Sequence, residues 1–220
     1  MGTPPATFTW TYRNTEGCVH TVPDWTPHDC YRACKVDLAQ FVVLAHLPDP
    51  PEKNVGEAYR VEYLDTVLGI PPGVFYNVAL DELIGVAYSA LNDGVPVWFA
   101  SEFDRMRLRE DGLLHHQLVQ LERAIGERLA SRQDRLHARA VDVNHAMLLT
   151  GYHEDNGNVT RWQVENSHGT EHADGYLSMS DGWFKDHVFY VAVPRTYVTS
   201  DLSTFKVKTV PPWDVVSAVL

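Results

Sequence analysis

The sequence predicts an α+β fold, and three observations carry that reading. Past Arg139, four apolar segments (AMLLTGY, NVTRWQVE, GYLSMS and VFYVAV) follow one another with turns between them, the pattern of an antiparallel sheet. Before Arg139, LDELIGVAYSALNDG repeats its apolar residues at helical spacing. Apolar residues make up 45% of the 220 and charged residues 21%, enough for a sizeable buried core. The pattern divides the chain into a helix- and loop-rich part (1–140), an antiparallel β part (141–200) and a tail (201–220).

The elements are expected as follows. FTWTYR at 8–13 is a short strand and EGC at 16–18 a turn. Thr26 is placed to cap a helix that has Pro27 at its first position. LAQFVVLAHL is an apolar run broken by a Pro-rich loop at 48–51. YRVEYL at 59–64 is a strand and GIPPG at 69–73 a loop. The LDELIGVAYSALN helix ends at Gly94, and VPVWFA at 95–100 is a buried strand with Trp98 and Phe99 in the core. Leu113, Leu114, Leu118, Leu121, Ile125 and Leu129 space as one face of a helical stretch over 113–136. On that stretch His115 and His116 are solvated, and Glu122, Arg123, Glu127 and Arg128 form a mixed charged face. HEDNGN at 153–158 is a hairpin connection marked by Asn-Gly. Trp162, Trp183 and Phe184 are core residues by their apolar settings.

Bulk properties exclude several classes. The balance of 18 basic against 29 acidic residues, −11 in all, argues against a nucleic-acid surface. Three cysteines, an odd number, make no disulfide framework and point to a reducing, cytoplasmic setting. No secretory leader opens the chain, Ala6 breaks the myristoylation pattern, and no apolar run is long enough for a membrane. In a cytoplasmic protein the Asn158-Val159-Thr160 sequon is a chance match.

The chemistry concentrates in residues 143–169, VNHAMLLTGYHEDNGNVTRWQVENSHG. His145 opens one predicted strand and Asn166 closes the next, and a hairpin can bring two such ends together. An Asn oxygen accepting from a ring N–H fixes an imidazole in one tautomer, which a general base requires. From spacing alone, a satisfied buried His and a turn Asn are the stronger reading. Cys30, Cys34 and His28 share a predicted helix, but no second pair completes a zinc set, so no metal or other cofactor is expected.

NHAMLLTGY, TRWQVENSHG, DGYLSMSDGWF and VFYVAV closely resemble the C-terminal half of the bleomycin hydrolase and aminopeptidase C family, papain-like cysteine aminopeptidases. The resemblance runs back through PVWF, AYRVEYLDTVLG, TPHDCYR and FTWTYR, and forward to PPWDVVSAVL. It implies the C-terminal portion of a papain-like fold, without the helix that bears the nucleophile. It implies that His145 is the base and Asn166 its orienting partner. The family's Gln-to-Cys-Trp motif lies upstream of the FTWTYR block and has no counterpart here, so Cys18, Cys30 and Cys34 are not the nucleophile and the chain alone is expected to be inactive. His168 stands where the family carries a Trp that covers the Asn–His bond, which implies a wetter bond. Ala218, Val219 and Leu220 match the tail that lies in the family's cleft and sets its exopeptidase register. The implied partners are peptide substrates, and either a complementing Cys-bearing chain or an oligomer of the family's hexameric kind. A noncatalytic homologue, serving as scaffold or assembly partner, is the rival reading.

Overall fold

The computed structural model describes residues 5–64, 73–108, 110–127, 129–170 and 173–216. It divides into two compact units, Met1–Gln40 and Phe41–Leu220. In the first, β1 (Phe8–Arg13) pairs antiparallel with β2 (Val19–Trp25), and Trp10 stacks on Tyr12 at 4.3 Å. α1 (Pro27–Cys34) then starts as its sequence prescribes. Thr26 accepts from the Asp29 N–H while the Asp29 carboxylate accepts from the Thr26 N–H, a reciprocal capping box.

The second unit is built on one eleven-stranded sheet, in the order β13-β4-β5-β3-β12-β6-β9-β10-β11-β8-β7. Its strands are β3 (Phe41–Ala45), β4 (Glu57–Val61), β5 (Phe75–Asn77), β6 (Val97–Ser101), β7 (Arg107–Leu108), β8 (Leu113–Leu114), β9 (His145–Asp155), β10 (Asn158–Glu165), β11 (Tyr176–Ser180), β12 (Val188–Pro194) and β13 (Lys206–Val210). α2 (Leu80–Asn92) lays Leu83, Val86, Ala87 and Ala90 on one face, against Val97, Phe99, Met147, Leu149, Val191 and Val193. Gly94 follows its end at φ 74°, a conformation that glycine takes without steric penalty. The opposite face carries a second core of Ala45, Leu47, Tyr59, Phe75, Ala100 and Tyr190, closed by Leu136 and Val216. Val188–Val191 and Val193 of β12 are buried, feeding both cores, while Ala192 and Pro194 stay half-buried.

The four C-terminal strands fall where the alternation places them. β9 and β10 turn at Asn156 (φ 50°) and Gly157 (φ 80°), as the Asn-Gly pair requires. Trp162, Trp183, Phe184 and Phe99 are buried, as expected.

Three expectations need correction. The stretch 113–136 is not one helix. Leu113 and Leu114 form β8, and two short helices follow, α3 (Leu121–Ile125) and α4 (Arg132–His137). Gly126 at φ 73° ends α3, Ser131 caps α4 through Asp134, and Ile125 is 57% exposed, so local signals overrule the leucine spacing. His116 is not simply solvated: it lies within 3.0 Å of the Ser180 hydroxyl and stacks on His115. Trp98 is 37% exposed rather than core, because its side of β6 lies beyond the second core.

The strand expected at 59–64 begins two residues earlier and stops at Val61, before Tyr63 turns to φ 61°. Residues 69–72, Arg128, the Leu121 side chain and Ala218–Leu220 lie outside what is described. Among the described residues no helix is long and apolar enough to cross a membrane.

Candidate active site

His145 is the first residue of β9 and sits opposite Ser101, the last residue of β6. Asn166 follows β10 directly, and its N–H donates to the Gly175 carbonyl at 2.9 Å. The two side chains meet: His145 Nε2 lies 2.8 Å from Asn166 Oδ1. An amide oxygen only accepts, so Nε2 carries the proton and donates it. Among the described residues, His145 Nδ1 makes no hydrogen bond, which leaves it with a lone pair in the neutral ring.

The register of the β9–β10 hairpin sets this meeting. The turn pairs Asp155 with Asn158; Thr160 is then an extra residue on β10, between Val159↔Glu154 and Arg161↔His153, and Thr150 an extra residue on β9, between Gln163↔Gly151 and Val164↔Leu149, so the two bulges cancel. Carried on, the register that the turn sets puts Asn166 opposite Met147, on the face of Met147 and His145 and one diagonal step from the imidazole.

Two rings pack against the imidazole and, edge to face at 6.0 Å, against each other. Phe103 lies 4.6 Å from it and His168 lies 4.8 Å from it, both tilted. The Asn166 amide nitrogen donates toward His168 Nδ1 at 3.3 Å, so His168 packs beside the His145–Asn166 pair with a polar contact of its own. Beside it, a cavity of about 250 Å³ is lined by Phe103, Arg107, Leu108, Leu114, Asn166, His168 and Leu177.

The chain leading into His145 is pinned. The Asn144 N–H donates to the Ser101 carbonyl at 3.1 Å, and its side-chain oxygen accepts from the Phe103 N–H at 3.1 Å. Next to these bonds the Glu102 carboxylate is buried beside His187 and Arg135, each at 3.3 Å. Burial works to raise the Glu102 pKa, but the hydrogen bond with His187 and the Arg135 charge hold it below the ordinary value. Burial pushes His187 down, and Arg135 adds to that against the pull of Glu102, so a neutral His187 donates to an ionised Glu102. Burial likewise drives Arg132 down to about 9; its guanidinium donates to the Phe184 and Val188 carbonyls and lies over the Phe189 ring.

The structure therefore brings His145, Asn166 and His168 together. The unit that carries them contains no cysteine: Cys18, Cys30 and Cys34 are free thiols of the first unit. Among the described residues no group of His, Cys, Asp and Glu is arranged to hold a metal ion. Sequence reading missed Phe103, Asn144 and Glu102. Glu102 alone left a signal, a carboxylate directly following an apolar strand.

The model of the Peptidase C1-like family matches residues 1–217. Aminopeptidase G of Lactobacillus delbrueckii subsp. lactis is 37% identical over 97% of this chain, and human bleomycin hydrolase is 31% identical over all of it. Each match covers 50% of the relative, so the chain spans about half the length of the curated relatives it matches. The crystal structure of PepW from Lactobacillus rhamnosis superimposes with a TM-score of 0.87 at 27% identity, over 97% of this chain and 50% of that one. With that likeness of sequence and architecture, the chain belongs to the peptidase C1-like family and has its papain-like fold.

Proposed function

We propose that this chain is the base-bearing, C-terminal portion of a cysteine-type aminopeptidase, with His145 as general base and acid and Asn166 as its orienting partner. The observation that carries the reading is the 2.8 Å bond from His145 Nε2 to Asn166 Oδ1, which leaves Nδ1 for proton transfer. The names of the relatives, aminopeptidases and bleomycin hydrolase, supply the reaction class.

The nucleophile is a cysteine of a complementing, Cys-bearing portion. Its thiol gives its proton to His145 Nδ1, and the thiolate attacks the peptide carbonyl. His145 returns that proton to the leaving amine as the C–N bond breaks. It then takes a proton from water, whose oxygen displaces the thiolate from the acyl carbon. Asn166 holds the ring throughout, and no cofactor enters. By the resemblance, Ala218, Val219 and Leu220 set the exopeptidase register. Peptides are the substrates. A reducing cytoplasm is the setting, in keeping with three unpaired cysteines.

The test is complementation. Mixed with the Cys-bearing portion, the chain is expected to release an aminoacyl-naphthylamide's amino acid and to leave the N-acetylated substrate intact. His145→Ala abolishes this. A folded complex without turnover would overturn the reading. A second reading, a noncatalytic scaffold or hexameric assembly partner, is favoured by the lack of any cysteine in the His145 unit. It predicts that outcome.

A further inference from the structure

We infer that Glu102 is a positioning residue for His145, acting through the segment 142–144 that leads into it. The inference rests on the reading of His145 as the base. Glu102 is 1% exposed, and a carboxylate is so deeply buried only when its oxygens are satisfied. Arg105 Nε stands 4.0 Å from Oε1, and three further partners come from separate places. Oε2 faces Arg135 of α4 at 3.3 Å and His187, the last residue of α5 (Asp181–His187), at 3.3 Å. Oε1 accepts the Asp142 N–H at 3.3 Å.

The contact with Asp142 bears on the site. Residues 141–144 belong to no helix or strand, so nothing within one element orders them. They are held to the end of β6 from both sides of Glu102: Asn144 by the carbonyl of Ser101 and the N–H of Phe103, and Asp142 by the Glu102 carboxylate. Phe103, the next residue, lies against the His145 ring at 4.6 Å. Glu102 thus fixes the backbone that presents His145 and the ring that backs it. The ion pair with Arg135 and the bond with His187 hold the carboxylate in turn, and the Glu102 N–H donates to the His187 carbonyl at 3.1 Å.

The probe is the imidazole Nε2–H proton of His145, assigned by its loss in Asn166→Ala, with its exchange rate against water measured by NMR on the full chain. Glu102→Asp keeps a charge beside Arg135 but withdraws the acceptor from the Asp142 N–H by one methylene. Exchange is expected to quicken by about tenfold or more. Glu102→Gln, which retains an oxygen in reach of the Asp142 N–H, is expected to stay within about twofold of the parent. Glu102→Met with Arg135→Met removes both buried charges together, which favours retention of the fold, and is expected to match Glu102→Asp. Parent-like exchange in Glu102→Asp would overturn the positioning role and leave the base reading standing. Absence of the protected proton from the parent chain would take down both.

Discussion

At the scale of single residues, the site depends on one acceptor and one proton. Asn166 Oδ1 decides which nitrogen of His145 works, so Asn166→Ala should lower the kcat of the complemented enzyme about 10- to 100-fold with an unchanged circular dichroism spectrum. Steady-state kinetics checks it. His187 and His46, which follows β3 with its Nδ1 2.9 Å from the Val78 carbonyl, give a second expectation, because burial lowers both pKa values below 6.5. The unfolded chain binds protons at these sites at a higher pH than the folded one. Their contribution is therefore complete above 6.5 and is lost as pH falls through the window beneath it. Melting temperature should drop between about pH 7 and pH 5, and His187→Gln should flatten that slope. The hairpin sequence brings two strand ends together, but His145 and Asn166 were legible as a site through the resemblance of NHAMLLTGY and TRWQVENSHG. Phe103 and Asn144 were not, since one acts as a ring against a ring and the other through its amide oxygen. Neither use shows in a residue type or a period.

At the scale of elements, the register of the hairpin is the decisive feature. The turn sets Asp155 opposite Asn158, and that register carried along the strands puts Asn166 opposite Met147; the compensating extra residues Thr160 and Thr150 leave no mark in the alternation of AMLLTGY and TRWQVEN. The turn at the other end is fully legible as Asn-Gly. Gly157→Ala puts a Cβ on a residue at φ 80° and should cost about 1 kcal/mol in urea unfolding. His145 stands ten residues along β9 from Asp155, roughly 33 Å away, so its imidazole NMR signals should not move. The leucines of 113–129 show the limit of periodicity: a helical spacing was present, but Gly126 and the Ser131–Asp134 box divide the segment.

At the scale of the molecule, the chain spans about half the length of the curated relatives it matches. Val43, Ala192, Trp98 and Leu148 lie side by side across β3, β12, β6 and β9; Trp98 is exposed and the other three are half-buried. On the proposed function, this row is what a Cys-bearing portion covers. Joining the Cys-bearing portion should shift Trp98 fluorescence to the blue, and Trp98→Asp should weaken that association about tenfold or more, as titration would show. The α+β class and the papain-like sheet were legible in the order of the strands and in the resemblance. The parallel pairings of β13 with β4 and of β3 with β5 were not, because partners that far apart in sequence leave no local pattern.

The most direct test of the central claim is the titration of the nucleophilic thiol in the complemented protein, read as its rate of alkylation by iodoacetamide against pH. If His145 is the base, the thiolate forms well below the ordinary cysteine value of about 8.5, and His145→Ala returns it there. Identical profiles for the parent and His145→Ala would show that His145 and Asn166 are joined for the fold and not for the chemistry.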